Sequence, residues 1–204
     1  MKMEPSKILV KSLETKKEIR EICKKKRDGL KKEFCEEKSM DIQKRILSMT
    51  CFKEAENILC YSAIRNEPDL SFLMEEALRL GKKVFLPKVQ GEDIFFYEVQ
   101  DLKACEPGAF SIMEPKMQER YKEEDDSSLV LVPGIAFSTT GERIGFGKGF
   151  YDRFLCRHKN LLKIGICYDE FITYKWNSDS YDERMDLIVT DKKEVLCDGI
   201  RTCM

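Results

Sequence analysis

The chain has 204 residues, of which 42% are hydrophobic and 36% charged, and its 36 basic and 37 acidic side chains leave a net charge of -1. That length holds one well-cored domain and is short for two, and the charge balance argues against a dedicated nucleic-acid binder, which carries a basic excess. The nine cysteines are odd in number and nowhere spaced as CxxC, which argues against a disulfide framework or a zinc site and for reduced thiols.

The N-terminal stretch MKMEPSKILVKSLETKKEIR has no long apolar core, so no signal peptide is expected. No apolar run approaches the roughly 20 residues of a membrane helix. The chain therefore reads as soluble and cytoplasmic, with no membrane and no nucleic-acid partner. A serine or cysteine nucleophile with a histidine base, or an HExxH metal site, would have to use His158. In the charged stretch Arg157-His158-Lys159 that residue reads as a solvated surface side chain.

In chain order, residues 12–34 read as an amphipathic helix with Ile19, Cys23, Leu30 and Phe34 near one face. Lys16, Arg20, Lys24 and Arg27 form a basic stripe along it, which is a solvated face unless the helix packs near an anion site. Residues 37–50 read as a second helix. A strand over 57–62, a helix over 68–80 closed by Gly81, and a strand over 83–87 make a βαβ unit, and hence a parallel sheet with covered faces. Residues 93–99 read as a further strand, and 105–128 as a turn-rich surface excursion, acidic at Glu123–Asp126.

Leu129–Pro133 is apolar throughout, as a central parallel strand should be. A long glycine-rich loop follows, then a helix over 150–157 and strands over 163–168 and 186–190. The predicted fold is α/β: a Rossmann-like three-layer sandwich with a mostly parallel central sheet flanked by helices. One domain is expected over 1–204, with a helical pair at about 12–50 packed on the core.

In open parallel sheets, ligands bind beyond the carboxyl ends of the strands. The segment leaving the central strand contains Gly141-Glu142-Arg143-Ile144-Gly145-Phe146-Gly147-Lys148-Gly149-Phe150-Tyr151-Asp152-Arg153. Glycines at 145, 147 and 149 strip the backbone of side chains, so that its N–H groups can converge on an anion. Lys148 adds a mobile charge, Arg143 a forked donor suited to phosphate, and the next helix its positive N-terminal end. This is neither a Walker loop nor GxGxxG, because Gly149 and Phe150 stand where those motifs require other residues. Asp152 is placed either to bind Mg²⁺ beside phosphates or to complement the helix dipole. Asp182 and Asp186 are candidates for a second oxygen ligand. Asn66 or Asp69 could cap the helix after the first strand, and Glu67 could face the ligand cleft.

The stretch LVLVPGIAFSTTGERIGFGKGFYDRFL is similar to the signature of the 5-formyltetrahydrofolate cyclo-ligase family, approximately VPGxxFxxxGxRLGxGxGYYDxxL. The resemblance extends over nearly the whole chain: Lys16–Arg20 resembles K-x-x-L-R, Tyr61–Asp69 a first strand followed by a Glu, Gly108–Pro115 a G-x-x-x-I-x-E-P segment, and Asp182 with Asp186 a D-x-x-x-D. It implies an ATP-dependent ligase acting on a reduced folate, with Mg²⁺ as cofactor and small molecules as partners, in a monomer or weak homodimer. It implies ATP contacts from Lys16, Lys17, Arg20, Arg143, Gly145, Gly147, Lys148, Gly149 and Tyr151. Folate contacts would come from Ser62, Glu67, Lys148, Gly149, Phe150, Tyr151 and Asp152, metal ligation from Asp152 and Asp182, and catalysis from Lys148, Arg143 and Tyr151. Phe150, Phe146, Phe171 and Asn177 depart from the family pattern.

The implied chemistry transfers the ATP γ-phosphate to the formyl oxygen, after which nitrogen-10 closes a five-membered ring. It demands positioning and charge neutralisation rather than a histidine base. A sugar-phosphate isomerase, a non-catalytic nucleotide or folate binder, and an RNA-binding module are the rival readings.

Overall fold

The computed structural model describes residues 15–108, 113–115, 119–122, 127–173, 176 and 182–197. Helix α1 (Lys16–Asp28) opens with a reciprocal cap: the Thr15 hydroxyl accepts the Glu18 N–H, and the Glu18 carboxylate accepts the Thr15 N–H at 2.8 Å. Its buried face is Ile19, Cys23 and Arg27, four residues apart on one side. It stops at Gly29, whose N–H bonds to the Lys25 and Lys26 carbonyls, and α2 (Lys32–Ser48) follows. The single helix expected over 12–34 is thus two, broken at a glycine that costs about 1 kcal/mol inside a helix. Phe34 belongs to α2, where its ring meets Tyr168 edge-on at 5.5 Å. Residues 12–14 lie outside the described residues.

After a short α3 (Thr50–Glu54) come β1 (Asn57–Leu59), α4 (Ser71–Arg79), β2 (Lys83–Gln90) and β3 (Asp93–Val99). The helix expected from Pro68 starts at Ser71. Asp69 accepts the Ser71 hydroxyl at 2.8 Å and holds a turn there. Two short pairing segments, β4 (Glu106–Pro107) and β5 (Met113–Glu114), lead to β6 (Ser128–Pro133). The stretch between them is not wholly a surface excursion. Glu119–Tyr121 runs beside β3, with Glu98 N–H donating to the Glu119 carbonyl and Tyr121 N–H to the Phe96 carbonyl, both at 2.8 Å, and Tyr121 is buried. Residues 123–126 lie outside the described residues.

The glycine-rich loop carries β7 (Ala136–Ser138) and β8 (Arg143–Ile144), which form a small separate sheet with β10 (Ile172–Thr173). Then come α5 (Phe150–Arg157), β9 (Leu162–Ile166), β11 (Leu187–Val189) and an unexpected β12 (Glu194–Leu196). That last strand is only three residues long and exposes Glu194 and Leu196 at the sheet edge, too short a run for alternation to mark it in the sequence. His158 is half-buried rather than fully solvated: its ring stacks on Phe154 at 4.1 Å and its Nδ1 lies 2.8 Å from the Phe154 carbonyl. The eight described cysteines are free thiols, and five of them are buried. Among the described residues no helix is long and apolar enough to cross a membrane.

The main sheet has the order β12-β11-β9-β6-β1-β2-β3. Its five inner strands are parallel, and β12 and β3 pair antiparallel at the edges. Leu129, Val130, Leu131 and Val132 of β6 are almost wholly buried, as both covered faces require. Helices flank the sheet: α4 packs on β2, α2 on α4 and β11, and α5 on β3. From β1 the chain builds outward to β2 and β3; from β6 it builds the other way to β9 and β11. The strand order therefore reverses between β1 and β6, and their carboxyl ends diverge to leave a crevice, the usual ligand position of such sheets.

One aromatic ring sets the spacing beneath that crevice. A Cβ at Gly134 would lie 2.4 Å from the Phe137 ring, and one at Gly165 would lie 2.5 Å from it. The two glycines are the slot into which Phe137 fits. Gly165→Ala should cost about 1–3 kcal/mol through overpacking, read as a lower urea midpoint with an unchanged slope. Phe137→Leu in the same chain should make the double variant lose less than the sum of the single losses.

Candidate active site

The crevice holds a cavity of about 720 Å³, a ligand-sized volume. Six basic side chains (Lys16, Arg20, Lys24, Arg65, Arg143, Lys148) and four carboxylates (Glu67, Glu114, Asp152, Asp182) line it, an excess of positive charge suited to an anion. Pro87, Val89 and Ile94 of β2 and β3 give it an apolar wall as well. A charged end and an apolar end in one cavity suit a ligand set that combines phosphates with flat rings.

The glycine loop forms the charged end. Gly147 (φ 90°) and Gly149 (φ 68°) adopt left-handed backbone, which side-chain-bearing residues resist, and Gly149 is the N-cap of α5. A Cβ at Gly145 would stand 2.6 Å from Arg143 Nη1, so glycine there lets the guanidinium lie against the loop. Arg20 Nε on α1 donates to the Gly145 carbonyl at 2.8 Å, which fixes the loop to the helix. Lys148 is exposed on the cavity wall and makes no hydrogen bond or ion pair among the described residues.

Most other charges at this end come in pairs. Arg143 Nη2 bonds both oxygens of Asp152 at 3.0 Å, and Lys16 pairs with Asp182. Asp152 also stands in the first turn of α5, where a carboxylate complements the helix dipole. The Tyr151 ring lies 5.4 Å from the Arg143 guanidinium carbon, and burial pushes its hydroxyl well above the usual tyrosine value, which keeps it a neutral donor. Just before Arg143, fully buried Glu142 is bonded by the Ser138 and Thr140 hydroxyls and ion-paired with Arg184 at 3.1 Å. Burial pushes its carboxyl up, but those bonds outweigh it and hold the group below the ordinary value.

Beyond the end of β1, Arg65 (φ 48°) and Asn66 (φ 57°) both take left-handed backbone, which costs about 1–3 kcal/mol per residue where the surroundings enforce it. Asn66 Nδ2 donates to the Arg27 carbonyl at 3.0 Å and ties this turn to the end of α1. The turn brings Glu67 to the cavity, 5% exposed, with its Oε2 accepting the Ile64 N–H at 3.1 Å. Ser62 also lines the cavity and donates to the Met113 carbonyl at 2.7 Å.

Of the predicted site residues, Lys16, Arg20, Ser62, Glu67, Arg143, Gly145, Gly147, Lys148, Gly149, Phe150, Tyr151, Asp152 and Asp182 share this one cavity. Lys17 does not line it and is exposed on α1. Asp186 does not reach it either: its carboxylate accepts the Lys163 N–H at 2.7 Å and serves the sheet. Phe171 is buried, with Lys26 Nζ 5.5 Å from its ring centre, and Asn177 lies outside the described residues. The basic stripe of α1 is not a solvated face: Lys24 lines the cavity and Arg27 is 2% exposed. Sequence reasoning assigned no ligand role to Arg65 or Glu114, which also line it; the positive φ at position 65 has no signature in the residue type.

Mg²⁺ takes one or two protein carboxylates and completes its shell with phosphates and water. Asp152 and Asp182, on the wall that carries the cations, fit that pattern. Among the described residues no group of three or more metal-ligating side chains converges, so the ion's other ligands would come from substrate and solvent.

Fold and cavity together define an α/β protein with a glycine-rich loop and a cluster of basic side chains at the switch point of a doubly wound sheet. A family model described as the 5-formyltetrahydrofolate cyclo-ligase family matches residues 12–191, and the chain belongs to that family, whose members are ligases. A 5-formyltetrahydrofolate cyclo-ligase of Saccharomyces cerevisiae is 27% identical over 201 residues, covering 86% of this chain and 94% of its own. The NMR structure of a 5,10-methenyltetrahydrofolate synthetase from Aquifex aeolicus superposes with a TM-score of 0.81 at 36% identity, covering 93% of this chain and 96% of its own. A synthetase structure from Mycoplasma pneumoniae, 24% identical, shares the fold with a TM-score of 0.72 over 87% of this chain and 99% of its own.

Burial raises the Glu67 carboxyl from the ordinary 4.5 to about 7, against the opposing pull of Arg27, the Ile64 N–H and Arg143. The fold thus binds this proton more tightly than the unfolded chain does. Its contribution to stability is full below the unfolded value and is lost as pH rises through the folded one. Relative to Glu67→Gln, which does not titrate, the native protein should lose stability between pH 4.5 and 7. Thermal unfolding of both proteins across that window measures the difference.

Proposed function

We propose that the chain closes 5-formyltetrahydrofolate to 5,10-methenyltetrahydrofolate with ATP and Mg²⁺, releasing ADP and phosphate through a phosphorylated formyl oxygen. The observation that carries this reading is the single cavity shared by the glycine loop, its cations, the buried carboxylate of Glu67 and the apolar wall of β2 and β3. Polyphosphate and folate rings can meet there with little further motion. The partners are these small molecules, the setting is cytoplasmic, and the expected assembly is a monomer or weak homodimer.

In this reading the loop N–H groups around Gly147 and Gly149, with Lys148, Arg20 and Lys16, hold the nucleotide phosphates. The formyl oxygen attacks the γ-phosphorus, and the bond to ADP breaks. Nitrogen-10 then adds to the activated formyl carbon and gives up its proton, and phosphate leaves with the former formyl oxygen. Asp152 and Asp182 would hold Mg²⁺, which supplies charge neutralisation at the phosphates when bound. Tyr151, Phe150 and Ser62 border the folate, and Glu67 accepts hydrogen bonds from N–H groups of its pterin ring. Arg143, gripping Asp152, keeps that carboxylate aligned with the loop.

Mixing the protein with 5-formyltetrahydrofolate, ATP and Mg²⁺ should produce the near-ultraviolet band of the methenyl product. Folded protein that yields none overturns the reading. Lys148→Ala removes an exposed side chain, so the fold should be untouched. Turnover should fall by about 10²-fold or more, the usual effect of deleting one charge-stabilising donor. Full activity in that variant would reduce Lys148 to a turn residue.

A further inference from the structure

Arg27 sits in the last turn of α1, 2% exposed, and is not part of the cavity wall. Its Nη1 donates to the Gly134 carbonyl at 3.0 Å and lies 3.5 Å from Glu67 Oε1. The ring of Phe146, from the glycine loop, covers the guanidinium at 5.3 Å. Nε and Nη2 have no hydrogen-bond partner among the described residues. Among the described residues the positive charge of this buried group is therefore met by one carboxylate, one backbone carbonyl and one aromatic face. On the other side, Glu67 Oε1 is also buried without a hydrogen bond among the described residues, on a residue that lines the cavity.

We propose that Arg27 is a positioning residue that holds Glu67 as an oriented carboxylate, with Oε1 left to accept an N–H of the folate ring. The proposal rests on the folate-cyclising reading above. A buried carboxylate loses the stabilisation of water, and a charge so placed survives only with a partner of opposite sign. The groups that face Glu67 are Arg27 from α1, Arg143 from β8, the hydroxyls of Tyr61 and Tyr151, and the Ile64 N–H. Arg143 is already bound to Asp152, and the two hydroxyls are neutral, so Arg27 is the nearest charge that opposes the effect of burial and favours the ionised form of Glu67. Without it Glu67 takes up a proton and presents a hydroxyl where the ring requires an acceptor.

This assignment separates binding from chemistry. Arg27→Met should raise the KM for 5-formyltetrahydrofolate at neutral pH by about tenfold or more while kcat and the KM for ATP change by less than about threefold. The deficit should shrink as pH is raised to about 9, because Glu67 then ionises without help. Arg27→Lys, which keeps the charge, should recover most of the loss. Should Arg27→Met fail to fold, Arg27→Gln, which retains a donor for Gly134, carries the same comparison.

A second readout does not depend on turnover. In protein carrying ¹³C-glutamate, with Glu67→Gln identifying the resonance, the Glu67 carboxyl should titrate at higher pH in the uncharged variants than in the native chain. An unchanged titration, or a pH-independent loss of kcat equal in the Lys and Met variants, overturns the proposal. Absence of methenyl product in the native protein would instead overturn the functional reading, and the titration would still decide the role of Arg27.

Discussion

The carboxyl ends of β1 and β6 diverge, and α1 is the element that closes over the gap they leave. Arg20 and Arg27 reach from it to the carbonyls of Gly145 and Gly134, and Asn66 reaches back to the carbonyl of Arg27. These contacts tie a helix near the start of the chain to loops far along it. Removing one partner of a buried charged pair such as Arg27 and Glu67 typically costs about 3–5 kcal/mol, against about 0–1 kcal/mol for a single surface ion pair. The geometry of the cavity therefore depends on one helix remaining docked.

Charge within the cavity follows the same logic. Arg143 is held by Asp152 and Lys16 by Asp182, and behind the cavity wall Glu142 is held by Ser138, Thr140 and Arg184. Such pairing offsets part of the repulsion among the basic side chains that line the cavity. Lys148 is exposed on the cavity wall and, like Lys24 and Arg65, makes no hydrogen bond or ion pair among the described residues; under the proposed function it is the loop's own cation for phosphate.

Much of this was legible in the chain itself. The apolar run of β6, the βαβ unit before it and the glycine loop after it announce a parallel sheet with a glycine-rich, basic loop at its end. The errors lie where local pattern is silent. Periodicity carried α1 through Gly29, because Leu30 and Phe34 happen to keep the apolar rhythm. Glu119–Tyr121 and β12 pair through backbone bonds that leave little trace in side-chain alternation. His158 looked solvated beside two basic neighbours, yet its ring faces Phe154.

By itself the sequence determined the family, the α/β class and the main strands of the parallel sheet, because glycine spacing and apolar runs act through local geometry. Only the tertiary structure decided which charges are spent on one another. Arg27 belongs by sequence to a stripe with Lys16, Arg20 and Lys24, but it turns inward to Glu67 and Gly134 while the other three face the cavity. A helical repeat of 3.6 residues sets the direction of each side chain about the axis. What waits in that direction is set by the packing of β1 and β6, whose loops converge there from distant parts of the chain.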